Sequence, residues 1–134
     1  MTLRVTLAVG LIAIPLLVLA SRAPDESGRW IAVDGDTVAA PDGERIRLLR
    51  IDAPEMPSSP RNCRRIRCPS GDPHAAKRAL QHALDSGSIR CEGDEIDRYG
   101  RRLAECFVTA PGNGQTVNIG DWLLARNVVE PYHG

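Results

Sequence analysis

The sequence has 134 residues, with 17 basic and 17 acidic side chains, so its formal net charge is zero. This length allows one domain at most, and the neutral balance excludes a wholly basic protein that coats nucleic acid. Aromatic residues make up only 4% of the chain, so we expect a small core of Leu, Ile, Val and Ala.

The first predicted element is an apolar N-terminal segment. One positive charge at Arg4 precedes residues 5–20, which are uncharged and mainly apolar, and this is the pattern of a secretory signal peptide at residues 1–20. An uncleaved membrane anchor through residues 5–20 is the alternative, although a span usually needs about 20 residues. Residues 21–28 are polar and are interpreted as a linker. The sequence thus predicts a folded domain at 29–134 in an exported protein, either periplasmic or secreted, or held at the membrane by its N-terminus.

Strand patterns come next. Residues 29–38 have strand character that is broken at Asp34-Gly35-Asp36, and residues 41–43 form a turn. Residues 44–51 alternate in a way that predicts a second strand, which ends at Asp52. The stretch 56–71 contains three prolines and two cysteines, which is typical of a long loop.

The second half begins with a helix. Asp72 is suited to its N-cap and Pro73 to its first position, and Ser86-Gly87 ends it. A hairpin over 91–106 and a short helix over 118–127 follow. This order predicts an α+β domain built on a small Greek-key barrel, such as an OB-fold with a helix between its third and fourth strands and a short C-terminal helix.

Export gives the four cysteines a structural interpretation. Cys91 and Cys106 are equidistant from a hairpin turn centred between residues 98 and 99, so they are expected to face each other and form a disulfide. That leaves Cys63 to pair with Cys68. A metal site that combines Cys63, Cys68, His74 and a further ligand is the alternative, but this spacing fits no usual zinc pattern.

Three charged segments carry the candidate chemistry. They are Val-Asp-Gly-Asp-Thr at 33–37, Arg-Leu-Leu-Arg-Ile-Asp-Ala-Pro-Glu at 47–55 and Asp-Arg-Tyr-Gly-Arg at 97–101. If the strands near Asp36 and Asp52 pair, their carboxylates meet at one end of the sheet, with Glu55 a short turn away. Three carboxylates brought together need a neutralising cation, and hard oxygen ligands suit Ca²⁺ or Mg²⁺. Arg47 and Arg101 beside such an ion would form a receptor for a phosphate.

These three segments, together with Leu103-Ala104 and Val117-Asn118, resemble the thermonuclease, or staphylococcal nuclease-like, family. The resemblance covers about residues 29–130. It implies a five-stranded OB-fold barrel and a Ca²⁺-dependent phosphodiesterase that acts on DNA and RNA. It also implies that Asp36, Asp52 and the backbone carbonyl of Ala53 bind one Ca²⁺.

The resemblance implies further roles at the same site. Glu55 would hold or activate the attacking water, while Arg47 and Arg101 would bind the scissile phosphate and stabilise the charge that grows on its oxygens. Tyr132 lies where the family often has a tyrosine that contacts nucleotide. Tyr99 is either a packing residue or another nucleotide contact.

The long loop at 56–71 is rich in arginine, and two interpretations of these arginines are open. Its arginines either steer a polyanion or are simply solvated; they are Arg61, Arg64, Arg65 and Arg67. The main alternative function is a non-catalytic OB-fold module that binds single-stranded nucleic acid without cutting it. In either case we expect a monomer.

Overall fold

The structure is a computed structural model that describes residues 28–61, 63–64 and 66–133. The predicted signal peptide or anchor at 1–20 and the predicted linker up to residue 27 lie outside the described residues. Among the residues that are described, no helix is both long enough and apolar enough to cross a membrane.

The described chain forms eight short strands and two helices. In chain order they are β1 Ile31–Ala32, β2 Thr37–Ala39, β3 Arg45–Leu48, β4 Ile51–Asp52, α1 Pro73–Asp85, β5 Ser88–Ile96, β6 Arg102–Thr109, β7 Thr116–Asn118, α2 Ile119–Ala125 and β8 Glu130–Pro131. The core is aliphatic as expected, because every fully buried apolar side chain is an Ala, Val, Leu, Ile or Cys.

Six strands form one mixed sheet and two form a second. The order in the larger sheet is β1-β2-β3-β6-β5, and β7 also pairs with β6. The β3–β6 pair is parallel, whereas the other pairs are antiparallel. In the smaller sheet β4 pairs with β8, which places Asp52 opposite Glu130.

The predicted five-stranded OB-fold barrel is wrong, although the α+β class is correct. In the described part of the chain there are eight strands and no closed barrel, because β1 and β5 are opposite ends of the strand order. The helix lies between β4 and β5 rather than between a third and a fourth strand. One physical reason is Arg50, which adopts a left-handed φ of 65° and divides the strand predicted at 44–51 into β3 and β4. The strands β7 and β8 were not predicted.

Both helices form where the sequence predicts them. Asp72 caps α1, since its Oδ1 accepts a hydrogen bond of 2.8 Å from the backbone N of His74. The buried face of α1 consists of Ala76, Leu80, Ala83 and Leu84, which pack into the core. The short helix predicted at 118–127 is α2, with Asn118 as its N-cap.

Both predicted disulfides are present. Cys91 and Cys106 are register partners in the β5–β6 hairpin and are bonded, and Cys63 is bonded to Cys68. The hairpin tip is centred on Tyr99, because the pairing beyond the bulge joins Ile96 to Arg102. The predicted cysteine register still holds, since the irregularity between Glu92 and Glu95 shifts the pairing by one residue.

Gly35 lies in the turn after β1, and its backbone packs closely against Ala53 and against Ala76 of α1. A Cβ atom at this position would lie 2.6 Å from the Cβ of Ala53 and 2.7 Å from the Cβ of Ala76. The charged segment at 47–55 and helix α1 therefore both pack against the turn that carries Asp36, and only glycine fits at position 35.

We expect Gly35→Ala to lower the free energy of unfolding by about 1–3 kcal/mol, because the added methyl overpacks this contact. Urea-induced unfolding with the disulfides intact measures the change. Gly120→Ala is the comparison variant, because its Cβ would lie 3.2 Å from the side-chain oxygen of Asn118, a milder contact that should cost less than the two contacts under 3.0 Å at Gly35. Equal losses in the two variants would contradict the packing argument.

Candidate functional site

Asp36 is held against the end of β4. The turn before it is closed by Asp34, whose Oδ1 accepts a hydrogen bond of 3.0 Å from the backbone N of Asp36. Asp36 is only 7% exposed, and its Oδ2 accepts a hydrogen bond of 2.8 Å from the backbone N of Ala53. Because Ala53 directly follows β4, this bond joins the first charged segment to the second.

Arg47 lies between two buried carboxylates. Its Nη2 is 3.2 Å from Asp36 Oδ2 and 3.2 Å from Asp52 Oδ1. Its Nη1 donates a hydrogen bond of 2.7 Å to the carbonyl oxygen of Leu48, which fixes the guanidinium. Since both carboxylate oxygens contact one nitrogen, they lie close together, as the sequence predicts for Asp36 and Asp52.

Glu55 joins the same cluster through an arginine that the sequence did not single out. Nη1 of Arg61 lies 3.0 and 3.1 Å from the two carboxylate oxygens of Asp52 and 2.8 Å from Oε1 of Glu55. The other oxygen of Glu55 accepts a hydrogen bond from the Ser59 hydroxyl. Three carboxylates and two guanidinium groups thus surround one position.

Arg101 reaches the cluster from the hairpin tip through one hydroxyl. Its Nη1 is 3.4 Å from Oγ1 of Thr37, which in turn lies 3.2 Å from Oδ1 of Asp36. Asp97 orients Arg101, accepting hydrogen bonds of 3.0 Å from its backbone N and 2.8 Å from its Nε. All five predicted side chains therefore converge: Asp36, Arg47 and Asp52 are in direct contact. Glu55 joins them through Arg61, and Arg101 joins them through Thr37.

The other predicted contacts lie at the edges of this region. Tyr99 is 67% exposed, and the guanidinium of Arg101 lies 5.3 Å from its ring centroid. Tyr132 is 58% exposed and follows β8, with its backbone N bonded to the carbonyl of Arg50. The contact seen at Ala53 uses its N–H, so the role of its carbonyl oxygen stays a prediction.

Burial shapes the charge of the cluster. Burial raises the pKa of Asp36 from 3.8 to about 7, against the opposing effect of Arg47. The hydrogen bond to Asp52 raises the pKa of Arg61 above its ordinary value. The pKa of Asp97 is lowered. Burial alone would raise it, but the hydrogen bonds from Arg101 and Tyr99 outweigh that effect.

The donor atoms of the cluster suit a hard cation only in part. Asp36 and Asp52 supply carboxylate oxygens, which is the chemistry that Ca²⁺ prefers. Arg47 contacts both of these carboxylates, however, and Arg61 contacts those of Asp52 and Glu55. Within residues 28–61, 63–64 and 66–133, no group of three or more His, Cys, Asp or Glu side chains is placed to hold a metal ion together. A cation at this position would therefore use two carboxylates, with water or backbone oxygens completing its shell.

Sequence reasoning missed three polar residues of the cluster. Thr37 was visible in the first segment but had no assigned role, and nothing in the pattern distinguished Ser59. Arg61 is one of four arginines in the loop at 56–71. Because this segment is irregular, the sequence does not indicate whether the Arg61 side chain faces the carboxylates or solvent. Local pattern identifies strands and caps, but not the side of a loop that an arginine faces.

Comparisons with known proteins add no assignment. No protein-family model matches the sequence, and no curated protein matches it. The resemblance to the thermonuclease family therefore rests on the three charged segments and their order along the chain.

We expect Asp36 to make the metal-free protein less stable as the pH rises. A carboxyl group with a higher pKa in the folded state stabilises the fold while it is protonated, below about pH 4, and this contribution is lost as the pH rises through about 7. With a chelator present, Asp36→Asn should remove this loss, which is on the order of 4 kcal/mol. Chemical unfolding at a series of pH values between 4 and 8 measures it.

Asp94→Asn is the control for that experiment, because it removes the same charge from an exposed position on β5. Its unfolding free energy should follow the wild-type pH dependence. Parallel curves for Asp36→Asn and the wild type would show that Asp36 does not carry the effect.

Proposed function

We propose that this protein is an exported, Ca²⁺-dependent nuclease that hydrolyses phosphodiester bonds of DNA and RNA. The observation that carries the proposal is the convergence of residues from three separate segments on one position. Asp36, Asp52 and Glu55 supply the acidic groups there, and Arg47 and Arg101 supply guanidinium groups. A phosphodiester and a divalent cation need this combination of opposite charges.

Each side chain has a role that its position supports. Arg47 and Arg101 would bind non-bridging phosphate oxygens, and their hydrogen bonds would strengthen as charge grows there in the transition state. Glu55 would accept a proton from the attacking water. The water oxygen bonds to phosphorus, the bond to the leaving oxygen breaks, and that oxygen takes a proton from solvent. Asp36 and Asp52 would hold Ca²⁺, which when bound polarises the phosphoryl group and places the water.

Two disulfides support the exported location. Disulfides persist in oxidising compartments and are rare in reducing ones. The described residues contain no free cysteine, so the paired state accounts for all four. A periplasmic or secreted enzyme fits this chemistry, and the apolar segment at 5–20 supplies the corresponding targeting signal or membrane tether.

A second candidate function has one observation in its favour. The ion pairs of Arg61 with Asp52 and Glu55 neutralise two of the groups that catalysis requires. A non-catalytic module that binds single-stranded nucleic acid needs no such groups in reactive form, and exposed Tyr99 with Arg101 could supply stacking and phosphate contacts.

Plasmid degradation distinguishes the two functions. The nuclease should fragment plasmid DNA and single-stranded RNA when Ca²⁺ is present, and a chelator should stop it. Retardation of single-stranded nucleic acid on a gel, without cleavage and regardless of chelator, would instead identify the binding module.

Glu55→Gln should lower turnover about 10²–10⁴-fold, because the amide cannot accept the proton of the attacking water. Binding of DNA, measured by fluorescence anisotropy, should remain close to the wild-type value. The matched control is Glu92→Gln, an exposed position on β5, which should keep full activity. A loss of binding as large as the loss of turnover would refute the assigned role.

A further inference from the structure

Arg61 contacts the carboxylates that the proposed nuclease needs for its ion. We propose that the guanidinium of Arg61 occupies the divalent-cation position, so that Arg61 and Ca²⁺ exclude each other and Arg61 sets the affinity for the ion. This inference rests on the proposed function. It assigns a role to a residue outside the three charged segments that carry the family resemblance.

The hydrogen-bond capacity of Asp52 is the first argument. Its Oδ1 is 3.2 Å from Nη2 of Arg47 and 3.0 Å from Nη1 of Arg61, and its Oδ2 is 3.1 Å from the same Nη1. Both oxygens therefore face guanidinium groups. A calcium ion binds carboxylate oxygens at about 2.3–2.6 Å, so it would compete with Arg61 for the same two oxygens of Asp52, and the positive guanidinium would repel it.

The charge of the cluster is the second argument. Three carboxylates face two guanidinium groups, those of Arg47 and Arg61, which leaves one net negative charge when all groups are ionised. Without Arg61 the cluster carries two net negative charges, which match one divalent ion. Arg61 thus supplies part of the neutralisation that an ion would supply, and releasing it restores the full attraction.

The placement of Arg61 is fixed by neighbours that do not belong to the cluster. Its Nη2 donates to the carbonyl oxygen of Arg67 at 3.3 Å, and Nη2 of Arg67 lies 3.1 Å from Oε2 of Glu130. The disulfide between Cys63 and Cys68 closes the intervening loop. Because Glu130 is the register partner of Asp52, these contacts position Arg61 over Asp52.

Calcium affinity tests the exclusion directly. Titration calorimetry with CaCl₂ at 0.15 M salt should show tighter binding by Arg61→Gln than by the wild type, within the usual range for coupled sites of about 5–150-fold. The same charge is removed by Arg126→Gln at the end of α2, where the guanidinium stacks on Trp122. Among the described residues, the Arg126 guanidinium contacts the ring and the carbonyl oxygen of Trp122 and none of the three clustered carboxylates, so this control should bind Ca²⁺ like the wild type.

Arg67→Gln is a second variant that leaves Arg61 itself in place. It removes the contact with Glu130, so affinity should rise by a smaller factor than in Arg61→Gln. If Arg61→Gln does not fold, as judged by circular dichroism, Arg67→Gln decides the matter, and an affinity equal to the wild type then overturns the proposal.

The remaining outcomes separate this proposal from the function on which it rests. If the wild type cleaves DNA with Ca²⁺ but Arg61→Gln binds the ion equally or more weakly, Arg61 only supports Asp52 and the exclusion is refuted while the nuclease stands. If neither protein binds Ca²⁺ and neither cleaves DNA, both proposals fail. Binding by Arg61→Gln alone would be the strongest support, because the ion site would then open only when the guanidinium is removed.

Discussion

The hydrogen bond from the backbone N of Ala53 to the carboxylate of Asp36 determines the rest of the site. This bond links the turn before β2, in the larger sheet, to the end of β4, in the smaller sheet. Arg47 holds the same two parts together by contacting both Asp36 and Asp52. A buried carboxylate is costly unless its oxygens are satisfied, so the fold has to bring β2, β3 and β4 together at this point. Gly35 permits the close approach, because any side chain there would collide with Ala53.

The cluster holds three carboxylates against two guanidinium groups at a buried or half-buried position, so its charges are almost but not fully compensated. Each acidic group has a cationic or hydrogen-bonding partner, and no buried side-chain nitrogen or oxygen in the described residues lacks one. Such networks become unfavourable when one member is removed, because the remaining charge is left buried. Exchange of the Arg61 guanidinium for a divalent ion would keep a cation against these carboxylates and would change the net charge of the cluster from one negative charge to zero. The pKa of Asp36 is raised because burial disfavours its charged form more than Arg47 stabilises it.

The sequence was informative where local rules act and uninformative where distant contacts decide. The cap at Asp72, the cysteine register and the convergence of the three charged segments followed from spacing and residue type. The break at Arg50 could not be predicted, because a left-handed φ at a residue other than glycine leaves no local signal. The barrel prediction failed for that reason and because two-residue strands such as β8 carry no periodicity. Arg61 was missed since nothing local fixes the direction of a side chain in an irregular loop.

The pairing of β4 with β8 also has a consequence for timing during synthesis. Asp52 lies on a strand of two residues whose partner is Glu130–Pro131, and β8 follows every other element in chain order. A nascent polypeptide that has emerged only as far as α2 has no partner for β4, and Glu130 is not yet available to Arg67. The β4–β8 pair, which holds Asp52 opposite Glu130, can therefore form only after almost all of the described chain has left the ribosome, so it forms later than the pairs made by the earlier strands.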